Sequence, residues 1–230
     1  GRTASGIPAA FTSIPGVRYA LTSNGASVVD LQTGEQLVNQ PFKTEDALKI
    51  YDILAGGAGM MSIFIGGKSY TTRENAEQHM DMVPENLRTY FRTTRLEVAD
   101  MHKTLRDHAH EIEKYSMIYA TEAERDAAWH EVLAACPGME LTSSLPCNME
   151  INAPGVTKGS GLMALARTLG LTRVQVMAVG DSGNDCAMIE AAGLGVAMGN
   201  ATDDIKKIAD VTTDDNNHDG VAAAIENYVL

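Results

Sequence analysis

Asp181 and Asp185 flank Ser182, Gly183 and Asn184, follow Gly180, and stand at the end of the apolar run 174–179. Gly180 and Gly183 allow backbone angles closed to other residues, so the two carboxylates can face one small volume from either side of a tight turn. Such oxygens are hard donors suited to magnesium, which keeps several waters and needs only one or two protein carboxylates. Asn184 adds a neutral hydrogen-bond donor for a phosphate oxygen. The plain alternative is structural: an aspartate-rich turn before a helix caps it and complements its dipole.

The elements around this turn follow from apolar spacing. Run 174–179 has little alternation, as in a strand covered on both faces, and Leu162, Leu165, Ala166 and Leu169 share one face of a helix over 159–169. A helix over 184–192 and a strand over 195–198 complete the pattern of a parallel α/β sheet, in which ligands gather beyond the carboxyl ends of the strands. Near the start, 19–22 reads as a strand after a short helical stretch, and 27–31 and 36–39 as β-rich runs joined across Thr33-Gly34.

Between them, Ala47, Tyr51 and Leu54 recur at helical spacing with Thr44 as the expected cap. Runs 60–65 and 69–72 read as a hairpin about Gly66-Gly67, 115–119 and 139–142 as strands, and 122–133 as a helix. This order suits a helix-and-hairpin module with its own antiparallel sheet. The expected division is a discontinuous α/β core from 1–40 and 149–230, with 41–148 inserted.

Thirty acidic and 18 basic residues give a net charge of -12, which opposes nucleic acid and anionic lipid surfaces. No apolar stretch reaches the length of a membrane span. Cys136, Cys147 and Cys186 are odd in number and lack CxxC spacing, so a reduced, cytoplasmic protein is expected. His102, His108 and His110 fall in a polar helical stretch and read as exposed, and no Gly-x-Ser-x-Gly elbow or Walker loop is present.

Segment 180–185 resembles the fourth motif of the haloacid dehalogenase (HAD) superfamily, and Lys158-Gly159, after Val156-Thr157, resembles the third. Thr22-Ser23-Asn24-Gly25-Ala26 is similar to the Asn-Gly-Ala turn of its Cof-type capped subgroup. Gly1-Arg2 is similar to the tail of the Thr-Gly-Arg motif, and 197–201 and 219–221 match the subgroup's C-terminal pattern. The resemblance implies a Rossmann-like core with an inserted α/β cap, and a magnesium-dependent phosphomonoester hydrolase acting on small phosphorylated metabolites through an aspartyl-phosphate. It implies catalytic roles for Lys158, Asp181 and Asp185, with Asp181 and Asp185 holding magnesium. Lys158 would neutralise the transferring phosphoryl group. Arg2, Asn24, Gly25, Lys158, Asn184 and Asn200 would contact phosphate or substrate; turn formation is the structural alternative for Asn24 and Asn200.

The family's first motif, Asp-x-Asp, supplies its nucleophile and acid, and 1–230 contain no matching segment in that place. Asp30, Asp203 and Asp204 read as turn or cap residues rather than substitutes. The expectation is therefore a core whose N-terminal strand is missing, silent by itself or paired with a separate N-terminal fragment. A second motif competes: Asp215, Asn217, Asp219-Gly220 and Glu226 fit the calcium-loop pattern. The β-branched residues at 211–213 oppose the entering helix that such a loop needs.

Overall fold

The turn at Gly66-Gly67 joins β4 (Gly59–Ile65) to β5 (Lys68–Thr72) as an antiparallel hairpin, as its spacing predicts. It belongs to a computed structural model describing residues 1–230, which divides into two compact units, Gly1–Val156 and Thr157–Leu230.

In the first unit, β1 (Tyr19–Thr22), β2 (Ser27–Asp30) and β3 (Gln36–Asn39) form a small antiparallel sheet. The larger sheet adds β6 (Arg95–Val98), β7 (Ile112–Tyr119), β8 (Glu140–Thr142) and β9 (Asn148–Asn152) in the order β6-β5-β4-β7-β9-β8, antiparallel except for β5 with β6. Its helices are α1 (Ala9–Thr12), α2 (Thr44–Leu54), α3 (Arg73–His79), α4 (Glu85–Thr94), α5 (Met101–Asp107) and α6 (Glu122–Ala135). Ile50 of α2, Leu105 of α5 and Val132 of α6 pack with Ile63, Tyr115 and Ile151 of the sheet. Met60 and Ile118 pack with Val83 and Phe91 in a separate cluster. Every residue of β4 and β7 is buried, including the polar Ser62 of β4 and Glu113, Lys114 and Ser116 of β7.

The second unit runs α7 (Lys158–Thr168), β10 (Met177–Gly180), α8 (Cys186–Ala191), β11 (Leu194–Ala197), α9 (Asp203–Ile208), β12 (Val211–Thr212) and α10 (Gly220–Tyr228). The three strands form the expected parallel sheet, β10-β11-β12. The α/β class read from the sequence therefore holds.

Several local expectations shift. Thr44 is the first residue of α2 rather than its cap, because its hydroxyl donates to the Ala109 carbonyl. The strand expected at 174 begins at Met177; Arg173–Gln175 is a 3-10 turn whose Thr172 hydroxyl and amide both hydrogen-bond Gln175, leaving Val174 84% exposed. Leu169 leaves the buried face of α7 because it ends that helix, whereas Ala166 and Leu162 pack with Val176 and Ala178. Residues 1–40 lie in the same compact unit as 41–148, and β9 completes the six-stranded sheet there.

Candidate active site

β10 ends at Gly180, and the chain turns through Ser182 into a 3-10 turn, Gly183–Asp185, before α8. Ser182 and Asp185 form a reciprocal capping box, which fixes the turn by satisfying amides at the start of the helical segment. Asp185 Oδ2 accepts from the amides of Asp181, at 3.0 Å, and Ser182, at 3.2 Å. A Cβ on Gly180 would stand 2.5 Å from Asp185 Cβ, so the missing side chain lets Asp185 fold beneath the strand end. Asp185 thus faces inward and is 5% exposed.

Its other oxygen meets Lys158. The Lys158 Nζ donates to Asp185 Oδ1 at 2.6 Å and to Asn184 Oδ1 at 2.8 Å. Lys158 is the first residue of α7, which Thr157 and Ser160 cap reciprocally. A cation at that end of a helix is opposed by the dipole, so Asp185 and Asn184 are what favour it there. Gly159 lets α7 approach α8, since a Cβ there would stand 2.2 Å from the Ala187 carbonyl oxygen. Burial by itself raises the Asp185 carboxyl, but the Lys158 charge, its hydrogen bond and the two amides hold it below the ordinary carboxylate value.

Asp181 lies differently. It is half-buried, accepting from Ser182 Oγ at 3.0 Å and from Asn200 Nδ2 at 3.1 Å. Asn200 is oriented in turn by the Asn216 amide on its Oδ1, at 3.0 Å. Lys158, Asp181, Asn184, Asp185 and Asn200 are therefore brought to one end of β10.

The donor set suits magnesium in part. Its available groups are carboxylate and amide oxygens, and magnesium is content with one or two carboxylates. No group of three His, Cys, Asp or Glu side chains is placed to hold an ion. With Asp185 turned toward Lys158 and the turn amides, Asp181 is the better direct donor of the two. Ser182 and Asn216, which orient Asp181 and Asn200, were not singled out from the sequence; the Ser-x-x-Asp spacing of a capping box is the signal for the first.

Arg2, Asn24 and Gly25 belong to the other unit. Asn24 adopts φ 57° in the turn Ser23–Gly25 and is buried, with Nδ2 donating to Glu150 Oε2 at 3.1 Å and Asn152 Oδ1 at 3.3 Å. Its Oδ1 is buried without a hydrogen-bond partner. Gly25 has φ 97°, a conformation that favours glycine. Arg2 lies 4.5 Å from the centre of the Tyr90 ring.

The competing readings resolve locally. Strand β12 occupies the place where a calcium loop needs an entering helix, and α10 already begins at Gly220, so Glu226 lies inside it. Asp215 instead accepts from the Asn217 amide and contacts His218 Nδ1 at 2.7 Å. Asp203 and Asp204 are in the first turn of α9, where they complement its dipole without capping it. Asp30 pairs with Arg18 and accepts from the Gln32 and Thr33 amides. His102 faces Asp52, and His108 faces Glu111. The three cysteines are free, and no helix is long and apolar enough to cross a membrane.

The chain is 54% identical over 92 residues to a 5-amino-6-(5-phospho-D-ribitylamino)uracil phosphatase of Bacillus subtilis, covering 40% of this chain but only 37% of that protein. With a putative phosphatase of Streptococcus pyogenes it is 31% identical over 215 residues, covering 92% of this chain and 76% of the relative. A haloacid dehalogenase-like hydrolase from Bacillus subtilis superposes with a TM-score of 0.77 at 28% identity, over 92% of this chain and 79% of that structure. Residues 1–225 match the family model described as haloacid dehalogenase-like hydrolase. The chain belongs to the haloacid dehalogenase-like hydrolase family.

Proposed function

We propose that the intact parent of this chain, with its attacking carboxylate supplied outside residues 1–230, serves as a magnesium-dependent phosphomonoester hydrolase for small phosphorylated metabolites, with Lys158, Asp181, Asn184, Asp185 and Asn200 as its phosphate and metal end. The observation that carries this reading is Lys158, held by Asp185 and Asn184 beside Asp181 at the carboxyl end of a parallel strand. Phosphoryl transfer needs mostly positioning and charge stabilisation, and a lysine fixed before substrate arrives supplies both without reorganising.

Each residue then has a distinct task. Asp185 orients the ammonium of Lys158; Asn184 fixes it from a second direction and sits where a phosphate oxygen can share the same ammonium. Asp181, oriented by Asn200 and Ser182, offers carboxylate oxygen to magnesium, which when bound neutralises phosphate charge and draws density from phosphorus. In the family's manner the attacking group is a carboxylate that becomes an aspartyl-phosphate and is released by water. That group is assigned to none of residues 1–230. The discontinuous core with an inserted cap, and phosphate contacts by Arg2, Asn24 and Gly25, belong to the same proposal. Phosphatase names among the relatives support the substrate class.

Hydrolysis of p-nitrophenyl phosphate by the intact parent, which carries the attacking carboxylate, followed with and without magnesium, tests the activity. It should depend on magnesium and fall by about 100-fold in Asp181→Asn, the scale of losing one fixed stabiliser of transition-state charge. Calorimetric titration of magnesium into the 230-residue chain tests the site apart from turnover, with weaker binding expected in Asp181→Asn. Equal magnesium affinity and equal rates in the two proteins would contradict the assignment.

A further inference from the structure

The residues that fit a calcium loop lie between β12 and α10, and the fold uses them otherwise. Asp215 Oδ1 accepts from the Asn217 amide at 2.8 Å and meets His218 Nδ1 at 2.7 Å. Its main-chain oxygen accepts from the amides of His218 and Gly220, each at 3.1 Å. One aspartate therefore winds the turn 215–218 with both its side chain and its carbonyl, in the manner of an Asx turn. The Asn216 amide instead reaches outside the turn, to Asn200 Oδ1 at 3.0 Å.

That contact decides how Asn200 lies. A main-chain N–H only donates, so it fixes which end of the Asn200 side chain is oxygen. The amide nitrogen is left to donate to Asp181 Oδ2, at 3.1 Å. Asn200 and Asn216 are both exposed, where water competes for each hydrogen bond, so the direction of Asn200 depends on how firmly the turn is held against it. Two glycines bring the turn this close. A Cβ on Gly199 would stand 2.9 Å from the Asp215 nitrogen, and one on Gly220 would stand 1.9 Å from the Asp214 carbonyl oxygen. The Gly199 amide closes the seam by donating to that Asp214 oxygen at 3.1 Å.

We infer that Asp215 is a positioning residue for the metal site: by winding the turn 215–218 it holds the Asn216 amide on Asn200, which aims the Asp181 carboxylate at the ion. The inference rests on Asp181 as the magnesium donor. The plain alternative, that Asp215 serves only the entry to α10, predicts a loss of stability with no link to Asn200.

Magnesium chloride titrated calorimetrically into the 230-residue chain separates the two. Asp215→Ala should weaken magnesium about tenfold, the low end of what groups behind a metal ligand contribute, and Asn200→Ala should do the same. The double variant should lose about tenfold rather than about a hundredfold, because both changes break one chain of contacts. Asp215→Asn, which keeps an oxygen for the Asn217 amide, should restore wild-type affinity. Gly199→Ala, which forces the two loops apart, should weaken magnesium in the wild-type background and add nothing to Asn200→Ala, so the link is tested even if Asp215→Ala fails to fold. With Asp181→Asn weakened as expected, unchanged affinity in Asp215→Ala, or losses that multiply in the double variant, would overturn the inference and leave the metal site standing. Unchanged affinity in Asp181→Asn would remove the site and the inference together.

Discussion

The two compact units each hold a lysine against a buried carboxylate, and the surroundings separate the pairs. Lys114 and Glu150 lie on adjacent strands β7 and β9, with their side chains 0% and 6% exposed. Lys158 and Asp185 join the start of α7 to a turn beyond β10, with Lys158 17% exposed and half-buried Asp181 close by in the chain. In the first pair the ammonium also donates to the Gly1 carbonyl, and Asn24 braces the carboxylate. Burial alone would raise Glu150, yet Lys114 holds its carboxyl far below the ordinary carboxylate range. The comparison teaches that burial of an ion pair does not mark chemistry. A sealed pair organises the interior, whereas a pair with one open side at a strand's carboxyl end can meet a substrate.

The largest effect expected is on stability. Lys114→Ala should cost about 3–5 kcal/mol, because Glu150 would be left charged and buried, as read by urea unfolding. A paired change, Lys114→Met with Glu150→Leu, should cost less than the single change, since both desolvated charges disappear together. Equal costs would mean that the pair's wider network, rather than the lone charge, dominates. Next in size, Asp185→Asn in the intact parent should slow magnesium-dependent hydrolysis by roughly 100-fold through misplacement of Lys158, about 2.7 kcal/mol of barrier. An unchanged rate would reduce Asp185 to a turn residue.

Acid sharpens the same contrast. The Asp185 carboxyl lies below its ordinary value of 3.8 in the folded chain. Its contribution is therefore fully present at neutral pH and is lost as pH falls through 3.8 toward the folded value. Thermal melts across that range should show a shallower acid slope in Asp185→Asn than in wild type; identical slopes would deny the coupling to Lys158. Smallest of all, Thr157→Ala should cost about 1 kcal/mol by uncapping α7, measured by thermal unfolding.

Much of the second unit was legible because its signals are local. Apolar runs placed β10 and β11, and the spacing of Gly180, Asp181 and Asp185 marked the turn whose carboxylates needed close backbone approach. What the spacing did not separate was the direction of the two carboxylates. Asp185 turns inward because it completes the Ser182 capping box, a local competition invisible to a count of acidic residues. The beginning of β10 was misplaced for a similar reason: Thr172 and Gln175 close a 3-10 turn inside an apolar run.

In the first unit, the hairpin at Gly66-Gly67 followed from turn chemistry and helix α6 from its apolar spacing; the capping box of Thr121 with Glu124 at its start was not read from the sequence. Glu113, Lys114, Glu150 and Asn152 were not legible as buried residues, because their burial depends on strands far apart in sequence. Lys114 and Glu150 become partners only when β7 pairs with β9, and no pattern within either strand encodes that pairing.

The central claim is that Lys158 is held for a phosphoryl group rather than for the fold. The most direct test measures the magnesium-dependent hydrolysis rate and the melting temperature of Lys158→Met in parallel, in the intact parent that carries the attacking carboxylate. The account predicts a rate lowered at least 100-fold, the scale expected for a lost charge stabiliser, with a melting temperature within about 4 °C of wild type. A retained rate with a collapsed melting temperature would contradict it, and would place this pair beside Lys114 and Glu150 as a structural one.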